Sequence, residues 1–210
     1  MDIPIKIVII DDKPRDLEVF CTELRDIYGS NSVDVFANSQ EGLSYIFKNI
    51  TKKIIVILDY DLAQNEQGES ETGLDILKKI REKTSLLTVL VCTTKPLNEI
   101  SSKDLKEFIN NHVFLFLDKF DEIEKRLDAV QKALNQMSTR LDCAIEEWIS
   151  LHSPEEINKP YLMTMSGLEY TLNDLLHEIR QKTALGITME RNILQLTIDL
   201  LARKKKKLND

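Results

Sequence analysis

The chain has 210 residues, 35 Asp and Glu against 28 Lys and Arg, and a formal net charge of −7. That length holds one domain of ordinary size plus a smaller module, and the acidic balance argues against a general nucleic-acid binder, since polyanions repel an acidic protein. Three cysteines (Cys21, Cys92 and Cys143), an odd number without metal-ligand spacing, fit thiols in a reducing cytosol. The N-terminal apolar stretch is short and carries Asp2 and Pro4, so it reads as neither a signal peptide nor a membrane span, and the expected location is cytoplasmic. His112, His152 and His177 lack a metal spacing, and with six glycines there is no Gly-rich phosphate loop.

In chain order, IKIVII is a first apolar run closed by Asp11 and Asp12. Pro14 suits the first turn of a helix running to about Ile27, where Tyr28, Gly29 and Ser30 stop it. VDVFA follows as a short strand, and Asn38 caps a helix over SQEGLSYIFKNI. A second long apolar run, IIVIL, ends in Asp59. Thr72 caps GLDILKKIREK, whose leucines and isoleucines recur at helical spacing. LLTVLVCTT ends in Thr93 and Thr94, a helix fits PLNEISSKDLKEFIN, and VFLFLDKF brings Lys119 to the end of a fifth strand. Unbroken Ile/Val/Leu runs are the mark of parallel strands buried on both faces, and ligands of such sheets sit beyond the carboxyl ends. The fold class expected is α/β, a five-stranded parallel doubly wound sheet over residues 1–124.

Any one of these polar residues alone reads as ordinary turn, cap or loop chemistry. Their joint order, Asp-Asp, Asp, Thr, Lys at strand ends, resembles the receiver domain of two-component response regulators. The resemblance implies a flavodoxin-like fold, with Asp59 accepting a phosphoryl group from a histidine kinase or phosphotransfer protein. It also implies that the backbone carbonyl of Asp61 completes a metal shell, that Thr93 binds a phosphoryl oxygen, and that Phe116 is an aromatic switch. Carboxylates crowded together repel one another, and a bound Mg²⁺ relieves that repulsion, which makes Asp11, Asp12 and Asp59 the expected metal seat. The Lys119 ammonium adds charge neutralisation. The fourth helix, fifth strand and fifth helix form the family's usual output face.

Several positions depart from the family pattern. The loop YDLAQNEQGESET after Asp59 is long and lacks a Met-Pro step, and is expected to be mobile. Phe120 replaces the proline that usually follows the lysine, and Thr94 stands where a smaller residue is usual.

Beyond Lys119, residues Ile123, Leu127, Val130, Leu134, Met137, Leu141, Ala144 and Trp148 alternate steps of four and three, the a/d spacing of a coiled coil. This predicts one extended helix over 121–151 and a homodimer along the seam Leu127, Val130, Leu134, Met137, Leu141 and Trp148. Packing on the chain's own C-terminal segment is the alternative. Residues 152–210 read as a small helical output module that binds an unknown protein: a Ser153–Pro154 helix start, a hairpin over YLMTMSGLEYTL, a helix opened by Thr171 and Asp174, a break at ALGIT, and a last helix ending in the basic run from Arg203 to Lys207. A helix-turn-helix reading is weighed against the leucines and isoleucines of that last helix, which leave little polar surface for base edges. Besides a phosphorylated regulator, the sequence admits a non-phosphorylated pseudo-receiver that docks partners, a DNA-binding transcriptional regulator, and an output module with an enzymatic activity of its own.

Overall fold

In the computed structural model the described residues are 5–50, 52–62, 71–164 and 167–203. The mobility expected for the loop after Asp59 falls on 63–70, outside the described residues, as do Met165 and Ser166 of the hairpin turn and most of the basic run. The chain divides into two compact units, residues 1–143 and 144–210.

The first unit is built on strands β1 (Lys6–Ile10), β2 (Val33–Phe36), β3 (Ile54–Asp59), β4 (Thr88–Thr93) and β5 (Leu115–Asp118), all parallel, in the order β2-β1-β3-β4-β5. β3 and β4 are buried at every position, as central strands covered on both faces must be. Side chains alternate between two cores. Ile7, Ile9, Ile55 and Ile57 join Phe20 and Leu24 of α1 (Glu18–Tyr28) on one face. Val8, Ile10, Val56 and Leu58 meet α2 (Ser39–Lys48), α3 (Gly73–Lys83) and α4 (Ser102–Asn110) on the other. Asn38 caps α2 by accepting from Gln40 and Glu41, and Thr72 and Asp75 form a reciprocal capping box at α3. The helix expected over PLNEISSKDLKEFIN is split. A 3-10 turn, Leu97–Glu99, precedes the buried Ile100, and Ser101 starts α4 by accepting from Asp104.

The extended helix over 121–151 is corrected by the structure. Helix α5 (Ile123–Ser138) stops, and α6 (Leu141–Leu151) begins anew. The hydroxyls of Ser138 and Thr139 bond back to the carbonyls of Asn135 and Gln136, and the Arg140 guanidinium grips Asp142 in a two-pronged contact at 3.0 and 2.9 Å while also reaching the Leu86 carbonyl. Four of the six residues of the expected dimer seam are corrected with it, while Leu141 is half-buried and Trp148 exposed, outside that core. Val130 and Met137 are buried in the sheet's own core together with Ala129 and Ala133, and Leu127 and Leu134 pack against that core. The first half of the a/d stripe therefore covers β-strands of its own chain. The compact unit accordingly extends to residue 143 and not to 124.

In the second unit Ser153 and Glu156 box the start of α7 (Pro154–Ile157), β6 (Leu162–Met163) pairs antiparallel with β7 (Glu169–Tyr170), and Thr171 and Asp174 box α8 (Leu172–Arg180). Here too one expectation fails: α9 (Ala184–Arg203) contains ALGIT instead of following it. The break lies earlier, where Lys182 takes φ 53°. Gly186 is a contact residue, since a Cβ there would lie 2.1 Å from the Glu178 carbonyl oxygen of α8. No described helix is long and apolar enough to cross a membrane.

Candidate functional site

The register of the sheet sets four strand ends side by side, those of β1, β3, β4 and β5. Ile10 pairs with Leu58, so Asp11, one residue past β1, stands beside Asp59, the last residue of β3. Asp59 pairs with Cys92, and Thr93 pairs with Asp118, which brings Lys119 to the same rim. The Lys119 backbone N–H donates to the Thr93 carbonyl at 2.9 Å and holds the two loops together.

At the centre Lys119 Nζ lies 2.6 Å from Asp59 Oδ2 and 2.7 Å from Asp11 Oδ2, with all three residues buried. The Asp59 contact is a hydrogen bond, whereas Asp11 Oδ2 makes an ion pair without hydrogen-bond geometry. The other Asp11 oxygen accepts from the Lys13 N–H at 2.8 Å. Burial pushes the Asp59 carboxyl up to about 6; the Lys119 hydrogen bond and charge pull it down, and the charges of Asp11 and Asp12 add to the rise. For Lys119 burial lowers the pKa, but the Asp11 and Asp59 carboxylates against its ammonium outweigh this and leave it raised.

The same residues fit a divalent cation. Asp11, Asp12 and Asp59 each offer a carboxylate oxygen, and these lie within 4.8 Å of one another. Asp12 Oδ1 is buried without a hydrogen-bond partner. Carboxylate oxygens are the hard donors that Mg²⁺ prefers. Asp61 does not join this cluster with its carboxylate: it is exposed, and its backbone forms a bridge to Thr72. Thr93 is buried, with its hydroxyl accepting from the Lys95 N–H at 3.0 Å. Phe116 packs edge-on against Phe108 on the α4 side of the sheet, with centroids 5.2 Å apart. Thr94 is exposed, and so is Phe120, which follows Lys119 across a trans peptide.

Three further residues shape the site. Gly73 opens α3 under the end of β3: its N–H donates to the Tyr60 carbonyl at 2.8 Å, and a Cβ would lie 2.2 Å from the Asp59 carbonyl oxygen. In the sequence it reads only as a helix start. Glu71 is buried and gathers Ser39, Gln40 and Lys79, so the end of the long loop is pinned to α2 and α3. Tyr60 reaches Asp104 of α4 at 3.1 Å and lies under the Lys95 ammonium. A lone Glu after a polar loop and a Tyr after an acid carry no sequence signal for either role.

The fold and the strand-end acids together define a doubly wound receiver-type domain over the first unit. Solved structures agree on the fold. A response regulator receiver domain protein (CheY-like) from Methanospirillum hungatei JF-1 is similar over 64% of this chain and 96% of its own, at 17% identity and a TM-score of 0.50. The signal receiver domain of a putative Luxo repressor protein from Vibrio parahaemolyticus is similar over 71% and 100%, at 15% identity and 0.53. A response regulator receiver protein from Pseudomonas putida is similar over 63% and 99%, at 19% and 0.51. No protein-family model matches the chain, and no curated protein matches it. The receiver likeness covers the N-terminal part of the chain.

Proposed function

We propose that the chain is a cytoplasmic response regulator whose Asp59 accepts a phosphoryl group from a histidine kinase or a phosphotransfer protein, and whose C-terminal unit passes the signal to a protein partner. The observation that carries this reading is the buried Asp59 carboxylate between the Lys119 ammonium and the Asp11–Asp12 pair. In the transfer an Asp59 oxygen forms the new bond to phosphorus, while the phosphorus–nitrogen bond of the donor histidine breaks and its electron pair stays on the ring nitrogen. Asp11, Asp12 and Asp59 would hold Mg²⁺, whose charge would offset that of the phosphoryl oxygens. Lys119 moves its ammonium from Asp59 to a phosphoryl oxygen. Thr93 gives up the Lys95 N–H and donates its hydroxyl to another. Phe116, in contact with Phe108, is the residue through which that shift reaches α4.

The test is incubation with Mg²⁺ and phosphoramidate. Wild-type protein gains one acid-labile phosphoryl group, and Asp59→Ala or chelation prevents it. Labelling that survives Asp59→Ala refutes the acceptor. A second reading, a pseudo-receiver that docks partners without phosphorylation, is supported by Lys119 already satisfying Asp59 and Asp11. It predicts an unlabelled wild type that does not bind Mg²⁺. A DNA-binding role is less favoured, because the exposed part of α9 is apolar; it would appear as salt-dependent binding to duplex.

A further inference from the structure

A cavity of about 380 Å³ opens in the first unit at the edge of the sheet opposite Asp59, where β4 and β5 begin and α3, α4 and α5 end. That volume lies in the lower part of the range of small-molecule sites, about 300–1,000 Å³. Two guanidinium groups, Arg81 and Arg140, line it, and no Asp or Glu does. Arg140 is answered by the buried Asp142 at 2.9 Å. Arg81, half-buried, is not: its N–H groups donate to the carbonyl oxygens of Asn111 at 2.7 Å, Leu87 at 3.0 Å, His112 at 3.0 Å and Thr84 at 3.5 Å, and no carboxylate among the described residues pairs with it. Carbonyl dipoles orient the guanidinium and leave its charge whole. Burial, and after it the like charge of Arg140, lowers the Arg81 pKa to about 10. Charges withdrawn from water are ordinarily paired. The remaining wall is apolar, with Leu87 buried and Ile109, at the mouth, 66% exposed.

We infer that this cavity binds a small organic monocarboxylate, with the carboxylate on Arg81 and Arg140 and the apolar body against Ile109 and Phe114. Guanidinium forks match the two oxygens of a planar carboxylate. Arg140 spends three donors on Asp142 and Leu86, which leaves others of its five for a ligand. Charge selects the class. Two guanidiniums against the Asp142 carboxylate leave one positive charge, which a monocarboxylate brings to neutrality. A phosphate group, at about −1.5 to −2 near neutral pH, overshoots it. The apolar wall selects the body, since an anion with nothing but its charged head leaves Ile109 and Phe114 in water. The site shares no residue with the acidic rim and does not depend on phosphorylation of Asp59.

Calorimetric titration of the full, unphosphorylated chain with benzoate, a carboxylate on an apolar ring, is expected to show one site with a dissociation constant of about 1 mM or tighter. Benzamide, which has the shape without the charge, and acetate, which has the charge without the ring, are each expected to bind at least about tenfold more weakly. In amide NMR spectra benzoate is expected to shift residues 81–88 and 109–115 and to leave those around Asp11 and Asp59 in place. Ser85 is exposed and lines the cavity, so Ser85→Asp sets a competing carboxylate there without disturbing the core. It is expected to weaken benzoate at least about tenfold at an unchanged thermal midpoint, while the uncharged Ser85→Asn binds as the wild type does. Absence of benzoate binding, equal binding of benzamide, tighter binding of inorganic phosphate, or a Ser85→Asp chain that binds benzoate like the wild type each overturn the inference.

Discussion

The two units solve the problem of burying a helix in opposite ways. In the first, α5 spends its apolar stripe on a sheet already present: Ala129, Val130, Ala133 and Met137 close the core over Ile7, Ile9, Ile55 and Ile57. In the second, α9 has twenty residues against nine in α8, and Ile187, Leu194, Leu196, Ile198, Leu200 and Leu201 remain exposed. Both helices show the same spacing in sequence. What separates them is the length of the surface they meet, which linear periodicity does not encode.

Truncation tests the contrast most severely. A chain ending at 143 is expected to unfold cooperatively on its own. A chain ending at 124 loses the four buried apolar residues of α5, each fully buried Val or Met contributing about 1.5–3 kcal/mol, and with typical domain stabilities of about 5–15 kcal/mol it is expected to be largely unfolded by circular dichroism. Two glycines give the next largest effect. Gly73→Ala drives a Cβ into the Asp59 carbonyl and is expected to cost the first unit about 2–4 kcal/mol in urea denaturation. Gly186→Ala meets the Glu178 carbonyl and is expected to loosen α8 from α9, raising hydrogen exchange there and leaving the first unit's midpoint unchanged.

A smaller effect is set by pH. Asp59 titrates at about 6 when folded against an ordinary value of 3.8, so between those values the folded chain holds a proton that the unfolded chain has released. Stability therefore falls as pH rises through that window, and the loss is complete above it. In metal-free buffer Asp59→Asn is expected to stabilise the protein by about 1–3 kcal/mol above pH 6, with the gain shrinking toward pH 4, as read from denaturation midpoints. The smallest effect is expected at Leu196→Gln, an exposed position of α9, which should move stability by no more than about 0.5 kcal/mol.

Most of the first unit was legible because a parallel strand buried on both faces has no choice but an unbroken apolar run, and the residue after the run is then placed by topology. Asp11, Asp12, Asp59, Thr93 and Lys119 were found this way and meet at one rim. Two kinds of feature were not legible. The α5–α6 break is made without Gly or Pro by the Arg140 grip on Asp142 and Leu86, a contact 54 residues long in sequence. Gly186 looked like a helix breaker because the close approach of α8 that requires it is a tertiary fact. Glu71 and Tyr60 belong with them, since their roles exist only once α2, α3 and α4 are in place.

Lys119 gives the acidic rim a built-in counter-ion. Without it three carboxylates at the strand ends would face each other unpaired, and closing the sheet would wait on a cation from solvent. With its ammonium within 2.7 Å of Asp11 and Asp59, the domain can complete its fold in a chelator, and a cation that enters later takes oxygens already partly neutralised. Under the proposed function, loading a metal would thus be an exchange between ligands of a finished scaffold and not a step in assembling it.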